Sequence, residues 1–388
     1  MGWENLPKQC LENVAAFGGG AAAATCQTVC QSWNAALDDW RIWKRLCDHE
    51  LQTTSPFCNG EWKAGYREQA ILARNWCKGT PRSFQALRAH DSCISGVAAT
   101  DSAVVTASYD RTLKVWDGAA NRWLHVLKGH SGPITCVAAH GAEAVSGARD
   151  RTVRLWDTAG GGEPLEEWPA GGAAADRCSP SAVAIVRAGG SGGGGADAPR
   201  SPTVVAAADT RGSVRVWRAG SPAVAMEAQP HRGAAYAMAP LSSGGHCASA
   251  SVDGSACAWL AETGQVMYRV EHEEGLLAIA ARDELLVTGG MDNAIHAWDL
   301  RSRSSVQKLE GHTDWVRGVG IHTHCIASGS KDRTVRLWDM RMGQETCQLE
   351  VDIETTSDVR SFDVSDSAVY AGLGGGVLAC WSFGPLQG

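Results

Sequence analysis

Seven tryptophans, Trp116, Trp156, Trp217, Trp259, Trp298, Trp338 and Trp381, follow one another at nearly even spacing, with one longer gap between Trp156 and Trp217. The strings around them recur as well: SYDRTLKVWDG at 108–118, ARDRTVRLWDT at 148–158 and SKDRTVRLWDM at 330–340. A period of about 40 residues means one supersecondary unit used several times, each copy too small to bury its own apolar face. The chain must therefore be read as an array of units, with function sought in what differs between copies.

Ahead of five tryptophans stands a histidine. His90, His130, His272 and His312 precede Trp116, Trp156, Trp298 and Trp338 at one identical separation, and His231 stands two positions further from Trp259. An aspartate, Asp110, Asp150, Asp253, Asp292 or Asp332, lies six residues before each of these tryptophans, and a hydroxyl, Thr106, Ser146, Ser249, Thr288 or Ser328, four residues before the aspartate. A tight turn between buried strands needs its polar groups satisfied internally. The pattern predicts a structural relay in which Asp accepts from the turn backbone and from His, and His passes the bond through the hydroxyl to the indole. Five such pairs at a fixed place in every regular unit argue against general-base catalysis. In two units the relay is broken: Arg211 and Ala207 stand before Trp217, and Gly375, Ala371 and Thr355 before Trp381. These units are expected to be the softest.

Composition narrows the function. The chain has 388 residues, 44% hydrophobic and 20% charged, with a net charge of -7. That balance provides no basic stripe for a nucleic-acid backbone. Fourteen cysteines without a signal peptide point to a reducing compartment, cytoplasmic and/or nuclear, and not to a disulfide framework. AAFGGGAAAA at 15–24 is too short and too poor in large apolar residues to span a bilayer. HTH at 322–324 has no third ligand, and the close pair Cys26 and Cys30 reads as buried thiols, so no metal and no cofactor is expected.

The GH pairs at 129–130 and 311–312, with WD at 116, 156, 298 and 338, resemble the WD-repeat family over roughly residues 83 to 383. The resemblance implies an all-β seven-bladed propeller over 83–388, with SFQALRAH at 83–90 as the outer strand of the last blade. The Gly- and Pro-rich stretch at about 187–202 is expected to be a disordered insertion between the first two strands of the third blade.

Residues 1–82 lie outside the repeat. WENLPKQCLENVAAF and TCQTVCQSWNAALDDWRIWKRLC carry apolar residues at helical spacing. Leu6 and Pro7, the VCQSW string and WKRLC together resemble an F-box over 1–50, a small all-α domain. WKAGYREQAILARNWCKG at 62–79 resembles the helical linker (51–82) of the F-box/WD-repeat family, with Trp62, Tyr66, Asn75 and Trp76 as the matching residues. The family resemblance implies a non-catalytic substrate receptor of an SCF-type cullin-RING ubiquitin ligase. Leu6, Pro7, Leu11, Val29 and Trp33 would then bind the Skp-type adaptor, and the propeller a protein target. The alternatives are a WD-repeat scaffold with no link to ubiquitination, or a leader that merely caps the propeller.

The resemblance also implies where the target binds: at the end of the propeller reached by the turn before each Asp and by the residue five after each His. Those positions hold Tyr109, Arg149, Tyr236, Arg317, Lys331 and, by matching DVRSF to WVRGV, Arg360; Trp315 lies two residues before Arg317. Their basic members suit an acidic or phosphorylated peptide.

Overall fold

The structure, a computed structural model, describes residues 72, 74–76, 78–100, 102–118, 122–171, 178–187, 203–241, 245–322, 325–340, 344–350 and 357–384. The expected F-box with Leu6, Pro7, Leu11, Val29 and Trp33 lies outside the described residues, as do most of the linker, the insertion from 188 onward, residues 323–324 and Thr355.

The strings that surround each tryptophan form four-stranded antiparallel sheets, seven among the described residues. β1 (Ser83–Arg88) is followed by the first blade, β2 (Ile94–Ala99), β3 (Ala103–Ser108), β4 (Thr112–Asp117) and β5 (Trp123–Lys128). The second is β6 (Ile134–His140), β7 (Glu143–Ala148), β8 (Thr152–Asp157) and β9 (Glu166–Pro169); the third is β10 (Pro180–Arg187), β11 (Thr203–Asp209), β12 (Val214–Arg218) and β13 (Val224–Ala228). The fourth runs β14 (Ala235–Pro240), β15 (His246–Ser251), β16 (Ser255–Leu260) and β17 (Val266–Glu271), and the fifth β18 (Leu276–Arg282), β19 (Leu285–Gly290), β20 (Ala294–Asp299) and β21 (Ser304–Glu310). The sixth is β22 (Val316–His322), β23 (Cys325–Ser330), β24 (Thr334–Asp339) and β25 (Gln344–Glu350); the seventh is β26 (Val359–Val364), β27 (Ala368–Leu373) and β28 (Val377–Ser382).

The innermost strands β2, β6, β10, β14, β18, β22 and β26 pack each against the next, and β26 returns to β2. The seventh blade is completed by β1, which pairs antiparallel with β28 from Ser83 opposite Ser382 to Arg88 opposite Val377. Closure by a strand from the other end of the array leaves no open blade. The core lies between blades: Val105 and Leu113 of the first pack with Ile134 and Trp156 of the second, and Val287 and Ile295 of the fifth with Val316 and Trp338 of the sixth. Second strands such as β7 and β23 are covered on both faces, which is why EAVSGA and CIASGS do not alternate with polar residues. The packing is close enough to dictate glycine: a Cβ on Gly147 would sit 2.8 Å from Pro180 of the neighbouring blade.

Two features recur around the ring. Each first strand carries a bulge one residue after its start, at Ser95, Thr135, Ser181, Tyr236, Leu277, Arg317 and Arg360. Each turn between the second and third strands holds one residue in the left-handed region: Arg111, Arg151, Gly212, Gly254, Asn293, Arg333 and Gly376.

The chain divides into two compact units, Ser83–Ser382 on the one hand and Met1–Arg82 with Phe383–Gly388 on the other. Within the latter, Trp76 stacks on Phe383 at 4.1 Å between ring centres, and Asn75 Nδ2 donates to the Phe383 carbonyl at 3.0 Å. No helix among the described residues is long and apolar enough to cross a membrane.

Candidate target-binding face

Three blades, the first, second and sixth, carry the complete relay. His90, His130 and His312 place Nδ1 2.8 Å from Oδ2 of Asp110, Asp150 and Asp332. Their Nε2 atoms lie 2.8 Å from Thr106, Ser146 and Ser328, whose oxygens accept from the indoles of Trp116, Trp156 and Trp338. Thr112, Thr152 and Thr334 donate Oγ1–H to the second oxygen of each aspartate. These bonds hold Asp110, Asp150 and Asp332 below the usual carboxylate range, against a burial that pushes the other way.

The relay predicted for the fourth and fifth blades needs correction. His231 and Asp253 stand 3.9 Å apart, too far for a hydrogen bond. Ser255 bridges them, 2.7 Å from His231 Nδ1 and 2.5 Å from Asp253 Oδ1. In the fifth blade no hydrogen bond joins Asp292 to His272 among the described residues; the side chain that Asp292 bonds is His296, at 2.7 Å. The cause is local: Ala294 occupies the position of Thr112 and Ser255, so no hydroxyl can carry the bond. His296 fills the gap, with His272 edge-on to it at 4.6 Å and on Thr288 at 3.3 Å. Burial pushes His231 and His272 down to about 4, so both rings are neutral at pH 7.

The third blade has no His and Asp pair, yet it has a charged network of its own. Arg215, 5% exposed, pairs with Glu227 at 2.7 Å and Asp209 at 3.5 Å, and donates to the Ala170 carbonyl. Asp209 also accepts from the backbone N–H groups of Arg211 and Ser213, taking over the cap that Asp110 provides in the first blade. Because Ala207 replaces the hydroxyl, the buried Trp217 indole N–H has no partner among the described residues.

These turns aim one end of the ring outward. Arg149 lies over the Tyr109 ring, 5.5 Å from its centre. In the sixth blade Lys331 Nζ is 4.7 Å and the Arg317 guanidinium 6.0 Å from the centre of the Trp315 ring. Asp358 joins the sixth and seventh blades by pairing with both Arg317 and Arg360, and β26, which carries Arg360, packs against β22 of the sixth blade and β2 of the first. Tyr109, Arg149, Trp315, Arg317, Lys331 and Arg360 therefore form one arc over blades six, seven, one and two. Tyr236, 48% exposed, stands apart from it on the fourth blade.

The bulge positions separate structural from exposed roles. In blades one to three Ser95, Thr135 and Ser181 donate to carbonyls of the next blade, Ile134 at 2.6 Å, Pro180 at 2.7 Å and Ala235 at 2.5 Å. Short hydroxyls there staple blade to blade. In the remaining blades the same position carries Tyr236, Leu277, Arg317 and Arg360, which have no short hydroxyl to make that bond; Tyr236 and Arg360 are exposed and Arg317 partly so.

Comparison with known proteins agrees with this geometry. The family model described as WD domain, G-beta repeat matches residues 81–117, 121–157 and 303–339. The chain carries WD40 repeats. The crystal structure of the WD40 beta propeller domain of Doa1 superposes with a TM-score of 0.62 at 19% identity, covering 78% of this chain and 97% of that one. Among curated proteins, F-box/WD repeat-containing protein 7 of Drosophila melanogaster is 28% identical over 110 residues, 24% of this chain and 8% of that protein. An F-box protein of Saccharomyces cerevisiae is 22% identical over 143 residues, 29% of this chain and 22% of that protein. A probable serine/threonine-protein kinase, PkwA, of Thermomonospora curvata is 43% identical over 47 residues, 12% of this chain and 6% of that protein. The chain thus spans less than a quarter of the length of each of these relatives.

Two sets of residues in this WD40 propeller escaped sequence reasoning. Asp358 and Asp314 sit within the basic arc: Asp358 pairs with Arg317 at 3.6 Å and Arg360 at 3.3 Å, and Asp314 with Lys331 at 3.2 Å. Arg111, Arg151 and Arg333, in the left-handed position of the turns that carry Tyr109, Arg149 and Lys331, are exposed cations. A signal for them was present, because the matching position is Gly212, Gly254 or Gly376 in other blades, and glycine at a fixed place in a turn marks positive φ.

Proposed function

We propose that this chain is the target-recognition subunit of an SCF-type ubiquitin ligase, in which the leader binds a Skp-type adaptor and the propeller presents an acidic or phosphorylated protein target. WD40 propellers are typically non-catalytic interaction scaffolds, and the chain acts in this reading as a receptor without chemistry of its own, in the cytoplasm and/or nucleus. The observation that carries the target half is the arc of Arg149, Arg360, Arg317 and Lys331 interleaved with Tyr109 and Trp315. Guanidinium groups held by aromatic rings are pre-organised for bidentate contact with phosphate or carboxylate. The adaptor half is supported by the F-box resemblance of residues 1–50 and by the partial similarity to two F-box proteins.

The test is co-purification from cells with proteasome activity blocked. The full chain recovers adaptor and cullin, and Leu11→Asp loses both while keeping its target and melting temperature, since a charge on a shared apolar face is costly. A Leu11→Asp chain that still recovers adaptor would refute the ligase assignment. The similarity to a kinase, confined to 47 residues, favours a second reading, a WD40 scaffold unconnected to ubiquitination. In that case the full chain recovers targets and no adaptor.

A further inference from the structure

The cations of the arc differ in how far their donors are already engaged. Arg317 and Arg360 share the carboxylate of Asp358, and Lys331 is held by Asp314. A ligand anion arriving there must compete with a resident carboxylate. At the junction of the first and second blades the situation is different. Arg111 and Tyr109 stand in one turn, Arg149 and Arg151 in the next, and Arg149 reaches across to lie over Tyr109. Among the described residues none of these three arginines has an ion pair or side-chain hydrogen bond. The carboxylates of the same turns are engaged elsewhere: both oxygens of Asp110 and of Asp150 accept from His, from Thr and from the turn backbone.

The backbone supplies a second, independent observation. Arg111 and Arg151 have φ of 72° and 69°, a conformation that costs nothing to Gly and disfavours any side chain bearing a Cβ. Blades three, four and seven use glycine at this place, blade five Asn293, and blade six Arg333 beside the ion-paired Lys331. Glycine satisfies this turn without conformational cost, so the arginines contribute something other than turn stability, and what they add is an exposed fork of donors.

We propose that the junction of blades one and two is the anion-gripping subsite of the propeller, with Arg111, Arg149 and Arg151 taking a phosphoryl or carboxylate group of the target, and that Arg317, Arg360 and Lys331 form a secondary, partly neutralised wall. This rests on the reading of the target as acidic or phosphorylated. It changes which residues hold the charge.

Fluorescence anisotropy on the full chain tests it, with three degenerate peptide libraries that differ only in a central phosphoserine, glutamate or serine. The wild type binds the phosphoserine library more tightly than the serine library, and the glutamate arm shows whether a carboxylate suffices. The Arg111→Gly/Arg151→Gly double variant loses about tenfold or more in affinity for the anionic libraries, while its melting temperature stays level or rises. Arg149→Ala, at an ordinary backbone position, shows the same loss, and Arg317→Ala/Arg360→Ala a smaller one. Wild-type affinity in the Gly double variant, or a larger loss in Arg317→Ala/Arg360→Ala, overturns the subsite. Equal binding of all three libraries by the wild type is a separate result that sinks the acidic-target reading itself.

Discussion

The guanidinium of Arg149, on the second blade, lies 5.5 Å from the centre of the Tyr109 ring on the first. One blade therefore positions the cation of another. Tyr109→Leu removes the ring face and retains bulk, and a cation–π contact at an exposed site contributes about 0.5–1 kcal/mol. We expect a loss of two- to fivefold, roughly, in affinity for a phosphoserine peptide library with no change in melting temperature, read by titration and thermal melts. Unchanged affinity would mean that Arg149 needs no platform.

The complete relay is worth most where every partner is present. Asp332→Ala leaves His312, Thr334 and the Thr313 and Thr334 N–H groups without their acceptor. The expected cost is about 1–3 kcal/mol in urea unfolding. The same substitution at Asp292 strands fewer groups, His296 and the Ala294 N–H, and should cost less.

The converse applies to the third blade, where Trp217 buries an indole N–H without an acceptor among the described residues. Ala207→Ser restores the oxygen that Ser146 and Ser328 provide in the second and sixth blades. A gain of about 1 kcal/mol is expected, seen as a higher melting temperature. A loss would show that the site is too tightly packed for one more atom.

Asp363 adds a pH dependence at the seam between the last and first blades. Its carboxylate accepts from the Ala99 N–H at 2.7 Å and the Val364 N–H at 2.8 Å, while the surrounding protein pushes it up to about 6. A folded-state value above the unfolded one means that the ionised group opposes folding: its contribution is most favourable below about pH 4 and is lost as pH rises to about 6. Asp363→Asn, which keeps an acceptor for Ala99, should raise the urea midpoint at pH 7.5 and leave it unchanged at pH 4. His231 and His272, pushed down to about 4, act in the opposite sense, stabilising above about pH 6.5 and losing that contribution as pH falls toward 4.

Much of the fold was legible because it depends on local signals that repeat. A tryptophan with a histidine and an aspartate at fixed separations ahead of it specifies a strand, turn and strand wherever the set occurs. The relay was misread in the fourth and fifth blades because the spacing is indifferent to the residue two after the aspartate. Thr112 completes the relay, Ser255 becomes a bridge, and Ala294 abolishes it so that His296 takes over.

The amino-acid sequence by itself determined the units, their number and the residues in each turn, since hydrogen bonding within a blade is settled inside a single repeat of the chain in every blade but the seventh, which β1 completes from the other end. Only the tertiary structure decided which of those turn residues meet. Arg149 over Tyr109, Arg317 and Arg360 on one Asp358, and Asp363 on the Ala99 N–H all join different blades, and Asp363 and Ala99 are 264 residues apart. Closure of the ring sets those distances, and no periodicity along the chain encodes whether a cation finds a carboxylate or stays open to a ligand.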